Sequence, residues 1–159
     1  MSDPFEPTVS LSQLASRMAD TTPQAVAIGI RFVSVEPGLA SLAVPYDPKL
    51  AGDAATGVIA GGVVTTLLDH CCGLAVSSKL LQGGGMAPIS TLDLRIDYMR
   101  AAEPGREIVA KAHCYKLGHT IAFVRATAFD RDEDDPVATA QAAFSINAPA
   151  KAPQKDPGP

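Results

Sequence analysis

The run from Gly61 to Val76, Gly-Gly-Val-Val-Thr-Thr-Leu-Leu-Asp-His-Cys-Cys-Gly-Leu-Ala-Val, constrains this chain more than any other stretch. It places a single carboxylate, Asp69, among apolar, small and hydroxyl residues. At helical spacing Val63, Val64, Leu67, Leu68, Cys71, Leu74 and Ala75 form a broad apolar side that a sheet or other helices must cover. Gly62, Thr65, Thr66, Asp69, Cys72 and Gly73 form a stripe of small and polar residues, so Asp69 lies where another group can approach closely. An ionised carboxylate without partners in a core costs on the order of several kcal/mol. Asp69 therefore needs hydrogen-bond donors, access to water, or a proton held for chemistry.

Downstream of this helix, which Gly83-Gly84-Gly85 ends, the period changes from helical to two. Leu92, Leu94, Ile96 and Tyr98 alternate with Thr91, Asp93, Arg95 and Asp97, predicting a strand with one apolar face. Strands over Ile108–Tyr115, Ile121–Phe129 and Val137–Ile146 follow, separated by turns at Glu103-Pro104-Gly105, Leu117-Gly118-His119 and Asp130–Pro136. Four successive strands on short connections predict an antiparallel meander. Upstream, Ser10 with Gln13 predicts a capped short helix that stops before Pro23, and Val26–Val44 predicts two extended segments around Glu36-Pro37-Gly38. Pro45–Gly57 reads as a loop. The expected class is α+β, a curved antiparallel sheet wrapped around one long central helix, with a short N-terminal helix. Residues 10–147 form the expected single domain, with a mobile N-terminus over 1–9 and a disordered tail over 148–159.

At 159 residues, 47% hydrophobic and 19% charged, the chain can bury one sizeable core and is short for two. A net charge of -4 without a lysine or arginine run excludes generic nucleic-acid binding. The longest apolar stretch is interrupted by Asp69, His70 and hydroxyls, so no membrane span is expected. Asp3 and Glu6 near the start make a secretory signal unexpected, and the cytoplasm is the default location. Cys71, Cys72 and Cys114 contain no CxxC pair, so neither a disulfide framework nor a metal site is expected, and small buried apolar roles suit them better.

A helix N-terminus presents unpaired backbone N–H groups and a positive dipole end, and Gly61-Gly62 lets a ligand approach them. Such donors can polarise a carbonyl. Asp69 lies two turns further on, on the order of 10 Å along the axis, too far to reach the same carbonyl carbon from the same helix. In a two-fold dimer with two such helices antiparallel, the N-terminus of one meets the middle of the other, which makes a shared site the inferred geometry. The residues leave a second reading open, in which Asp69 only hydrogen-bonds Thr65, Thr66 or a partner helix and the glycines only permit close packing.

Gly57-Val58-Ile59-Ala60-Gly61-Gly62-Val63-Val64-Thr65-Thr66-Leu67-Leu68-Asp69 resembles the (T/N)G-x-(L/I)-H-G-G-x-x-x-x-L-x-D signature of hotdog-fold acyl-CoA thioesterases of the PaaI-like branch. The resemblance continues through Thr91–Ala102, Lys116–Ala126 and Val137–Phe144, covering about Pro23 to Asn147 in the right order. It implies hydrolysis of an acyl-CoA by a homo-oligomer, with a dimer as the minimal unit and a tetramer expected, and without a metal or organic cofactor. It maps the N–H that meets the thioester oxygen onto Gly61, with Gly62 close behind, the helical acid onto Asp69, and a hydroxyl that orients water onto Thr91. Ala60, Thr66, His70, His119 and Arg125 complete the expected substrate-contacting set, and Arg95, Arg100 and Lys116 join Arg125 as candidate partners of the CoA phosphates.

The chain departs from the family pattern at Ala60, where the signature histidine is usual, and at His119, where arginine is common. An upstream asparagine has no counterpart, and Asp53 receives no role. Ala60 gives weight to an alternative, a non-catalytic acyl-CoA-binding hotdog protein. A hotdog dehydratase would need a histidine on a differently spaced motif, and His70 is the only histidine near the helix. A purely structural oligomer is the remaining alternative.

Overall fold

The helix from Gly61 to Gln82, labelled α3 below, is the axis on which the computed structural model is built. It runs 22 residues, about 33 Å, and from Cys71 to Ser78 every position is buried. The structure describes residues 10–147; the expected mobile N-terminus and disordered tail lie outside the described residues.

α1 (Leu11–Asp20) begins in the expected capping box, where Ser10 Oγ accepts from the Gln13 N–H and Gln13 Oε1 accepts from the Ser10 N–H. Val26, read from sequence as the start of an extended segment, instead belongs to α2 (Pro23–Ile28). Pro23 suits the first helical turn and Gly29 ends the helix at φ 75°, so local turn chemistry overrides the β-branched composition there. β1 (Arg31–Glu36) and β2 (Leu39–Val44) then form the expected hairpin around Pro37-Gly38, with Gly38 at φ 79°.

β3 (Ile89–Tyr98), β4 (Ile108–Leu117), β5 (Ile121–Phe129) and β6 (Ala138–Ile146) complete one six-stranded antiparallel sheet in the order β1-β2-β4-β5-β6-β3. The hotdog architecture expected from the sequence is present, a curved sheet around one long helix. The meander is shorter than predicted: β4, β5 and β6 are consecutive neighbours, but β3 pairs with β6 and β4 turns its other edge to β2. A helix that packs against all six strands separates β3 from the hairpin that precedes α3, so β3 closes the far edge of the sheet.

The inner face of β4–β6 is unusually small. Ala110, Ala112, Ala122, Ala126, Ala128, Ala138, Ala140 and Ala142 are all buried beneath α3, whose Leu67, Leu68, Leu74 and Val76 fill the space. Alanine is a poor strand former in isolation. Here it lets the sheet approach the helix backbone while the helix supplies the bulk, so volume is conserved across the interface. At the C-terminal half of α3, the Ser78 hydroxyl bridges the Gly38 N–H and the Glu36 carbonyl at 3.0 Å each, and Lys79 Nζ donates to the Cys114 carbonyl at 2.7 Å.

One ion-pair network holds the β3–β4 connection against the β5–β6 turn. Arg100 donates to both carboxylate oxygens of Asp130, at 3.1 and 2.6 Å, and also to Asp135 and the Ala101 carbonyl, while Asp130 accepts the Glu103 N–H at 2.7 Å. The Asp130 side chain has no exposed area, and the Arg100 hydrogen bond holds its carboxyl down to about 2. A depressed carboxylate stabilises the fold above the unfolded-state value of about 4 and loses that contribution as pH falls toward the folded value. Denaturant titrations across pH should therefore show an acid-dependent loss of stability between about pH 4 and pH 2 that Asp130→Asn abolishes, with that variant about 3 kcal/mol less stable at neutral pH because Arg100 is left without its buried partner.

Candidate active site

The N-terminus of α3 is held open by the loop before it. The Ala60 N–H donates to the Leu50 carbonyl at 2.9 Å and the Gly52 N–H to the Val58 carbonyl at 2.8 Å, pinning the chain as it enters the helix. Ala60 is the N-cap, with no side-chain hydrogen bond to the first turn. Among the described residues, neither the Gly61 nor the Gly62 N–H finds a protein acceptor, so two donors at the positive end of a long dipole face outward.

The two glycines are glycine for different reasons. A Cβ on Gly61 would lie 3.3 Å from the Tyr98 hydroxyl and 3.5 Å from its ring, so the close approach of Tyr98 occupies that position. A Cβ on Gly62 would meet nothing within 4 Å. Tyr98 Oη donates to the Gly61 carbonyl at 2.6 Å and lies 2.8 Å from Thr65 Oγ1. Beside them opens a cleft of about 350 Å³, lined by Val58, Gly61, Val64, Tyr98, Met99 and Val137 among others. Tyr98 was legible in the sequence only as the last apolar position of β3; that its hydroxyl turns back onto the helix N-terminus was not.

Asp69 and Thr91 meet. Thr91 Oγ1 donates to Asp69 Oδ1 at 2.8 Å. Strict alternation places Thr91 with Asp93 and Arg95 on the polar face of its strand. The register of β3 against β6 shifts between Thr91 and Asp93, a bulge at Leu92, so Thr91 pairs with buried Phe144 and shares the helix-facing side with Leu94, Ile96 and Tyr98. One extra residue thus reverses the face on which the hydroxyl points. The expected small-residue stripe is interrupted in its second half, where Cys72 is buried and Gly73 lies under Met18 and Phe144; Gly62, Thr65, Thr66 and Asp69 remain open.

The thioesterase superfamily model matches residues 56–137, the segment that contains the open helix end, Asp69, Thr91 and Tyr98. This chain belongs to the thioesterase superfamily. It is 27% identical over 130 residues to the medium/long-chain acyl-CoA thioesterase YigI of Escherichia coli, covering 76% of this chain and 83% of that protein. It is 34% identical over 94 residues to human acyl-coenzyme A thioesterase 13, covering 59% of this chain and 63% of that protein, less than two thirds of its length. The PaaI protein from the phenylacetic acid degradation operon of Escherichia coli superposes with a TM-score of 0.75, covering 87% of this chain and 94% of that chain at 18% identity, a likeness of fold.

Within this thioesterase-superfamily chain the other sequence-predicted residues are dispersed. Thr66 Oγ1 donates to the Gly62 carbonyl at 2.9 Å and accepts from Gln24 Nε2 at 3.5 Å, tying α2 to the first turns of α3. His70, half-buried one position beyond Asp69, is pushed down by burial, with Asp69 opposing in part. His119 is exposed in the bend between β4 and β5. Arg125 is exposed on β5 between buried Val124 and Ala126, which places it on the outer face of the sheet, 4.7 Å over the Tyr115 ring. One chain therefore brings neither His119 nor Arg125 to the Asp69–Thr91 pair. Arg100 spends all five of its N–H groups on Asp130, Asp135 and the Ala101 carbonyl, which leaves none for a CoA phosphate. The three cysteines are free and buried, and burial pushes the Cys71 thiol up to about 12, which makes it inert as a nucleophile.

Because no atom crowds Gly62, Gly62→Ala is expected to melt no lower than wild type, with up to about 1 kcal/mol gained from helix propensity. A lowered melting temperature would mean that this position is packed, within the chain or against a second copy of it.

Proposed function

We propose that this protein hydrolyses the thioester of an acyl-CoA, taking up water and releasing a free carboxylic acid and CoA. The observation that carries the reading is the Asp69 carboxylate, held by Thr91 at 2.8 Å on the open part of a helix within the thioesterase-superfamily segment. Two relatives named as acyl-CoA thioesterases support the substrate class.

In this reading the Gly61 and Gly62 N–H groups donate to the thioester oxygen and offset the charge that develops there as the carbonyl carbon becomes tetrahedral. Asp69 supplies the oxygen chemistry, either by taking a proton from the attacking water or by attacking the carbonyl itself before water releases the acid; Thr91 orients the carboxylate or the water. The C–S bond breaks and CoA leaves as the thiolate. Ala60, Thr66 and His70 lie around the reacting group, and His119 and Arg125 contact the nucleotide end.

A homo-oligomer is part of the proposal, with a dimer as the minimal unit and a tetramer as the larger assembly. The open donors and Asp69 belong to the same helix two turns apart, so one carbonyl is reached by both only when a second chain brings its helix alongside. From this face of the subunit, His119 and Arg125 act on substrate held by another chain. The proposed compartment is the cytoplasm, in keeping with three free buried cysteines. Among the described residues no helix is long and apolar enough to cross a membrane.

Free-thiol release from short, medium, long-chain and aryl acyl-CoAs tests the reading. Wild type should cleave at least one class, and Asp69→Asn should lose at least ~10²-fold in turnover while folding and assembling normally. Equal turnover in the two proteins would remove Asp69 from the mechanism. Absence of a side-chain cap at Ala60 favours one second reading, an acyl-CoA-binding protein without turnover. It would show as acyl-CoA raising the melting temperature without thiol release. Ala60 is half-exposed, so Ala60→His should fold and alter the rate; an unfolded variant would refute the alignment of this loop with the family signature.

A further inference from the structure

We infer that Tyr98 is a positioning residue for the thioester oxygen, acting through the peptide unit that joins Gly61 to Gly62. The inference rests on the thioesterase reading above and adds a residue to it.

The Gly61 carbonyl and the Gly62 N–H belong to one planar peptide unit, so a group that fixes the first fixes the direction of the second. With glycine on both sides, that unit is the softest in the helix, free of the Cβ contacts that restrict φ and ψ elsewhere. It also stands at the helix end, where the ladder of backbone bonds holds it from one side only. Tyr98 supplies the missing restraint. Its hydroxyl donates to the Gly61 carbonyl at 2.6 Å, and Thr65 Oγ1, 2.8 Å from Tyr98 Oη and 3.1 Å from the same carbonyl, completes a triangle of three oxygens. Thr65 Oγ1 can donate to the carbonyl at 3.1 Å or to Tyr98 Oη at 2.8 Å; the shorter contact assigns its proton to tyrosine, which donates in turn to the carbonyl. The result is a relay ending on Gly61.

Two effects on the Gly62 N–H follow. Its plane cannot tilt without breaking a short hydrogen bond, and a carbonyl that accepts a strong bond polarises its own peptide, which strengthens the N–H as a donor. Of the two glycines, Gly62 is also the one around which a Cβ would meet none of the described residues within 4 Å. Tyr98 thus orders a donor that finds no acceptor among the described residues. Tyr98 lies with Leu94 and Ile96 on the helix-facing side of β3, and the bulge at Leu92 brings Thr91 to that same side. The same edge strand positions the carboxylate through Thr91 and the donor through Tyr98, seven residues apart in sequence.

Tyr98→Phe removes only the hydroxyl. Direct loss of an oxyanion donor costs about 10²–10³-fold in kcat, and an indirect partner should cost less, roughly 10-fold. The expected result is that fall in kcat with KM within about twofold of wild type and the melting temperature little changed; Thr65→Val should give a smaller fall, and the double variant no more than Tyr98→Phe alone, as members of one relay do. A role confined to stability would lower the melting temperature and leave kcat alone, and a role in holding the acyl chain would appear in KM; either overturns the inference.

Binding separates this inference from the thioesterase reading. The two probes are a CoA thioether bearing a dodecyl chain and the matching ketone, in which a methylene separates sulfur from carbonyl. Tyr98→Phe should weaken the ketone severalfold and leave the thioether unchanged. Equal effects on both, or none, overturn the positioning role. A wild type that releases no thiol from any acyl-CoA would refute the thioesterase reading, and the two probes would still decide whether Tyr98 orders a donor to a carbonyl.

Discussion

Burial of α3 against a single sheet is the constraint on which the rest of this structure depends. A 22-residue helix with apolar residues around most of its girth must be covered almost completely, and one sheet can do so only by curving. Curvature at close range requires small residues on the inner face, and the row of buried alanines on β4, β5 and β6 meets that requirement. α1 then covers the C-terminal half of the stripe that the sheet leaves free, through Met18 over Gly73. What remains open is the N-terminal half of one helix face, and the chemistry proposed for this thioesterase-superfamily protein is confined to it.

The helix end and the carboxylate are organised from one edge strand. β3 runs antiparallel to α3, so Tyr98 near its end reaches Gly61 and Thr91 near its start reaches Asp69. Both contacts depend on the bulge at Leu92, and without it one of the two hydroxyls would face away from the helix. The polar contacts on the covered part of α3, at Ser78 and Lys79, tie the helix to the β1–β2 turn and the β4 backbone. The reactive half and the structural half of the same helix therefore differ in what covers them: the second is buried, while Gly61, Gly62 and Asp69 stay accessible.

The same criterion separates the arginines. Arg100 looks from sequence like any of the basic residues available for a CoA phosphate, but its guanidinium is saturated by Asp130, Asp135 and a carbonyl. Arg125 keeps its charge exposed over Tyr115 on the outer face, and in a single chain it is remote from the Asp69–Thr91 pair. Its proposed part in binding the nucleotide therefore depends on the assembly of subunits.

Local pattern alone determined α3 with its terminal glycines and lone carboxylate, the capping box at Ser10, the β1–β2 turn, and the alternation of β4, β5 and β6, because each is written in residues a few positions apart. It also carried the family resemblance, since Gly61, Gly62 and Asp69 are read from one continuous segment. Only the tertiary structure decided that β3 pairs with β6 instead of β4, that Thr91 faces the helix, that Arg100 has no donor to spare and that the Tyr98 hydroxyl rests on Gly61. These are contacts between residues 22 to 57 positions apart or a shift of register by one residue, as the Thr91–Asp69 bond illustrates. A periodicity of two is blind to an inserted residue, and a side chain's valence of hydrogen bonds is filled only when the chain has folded.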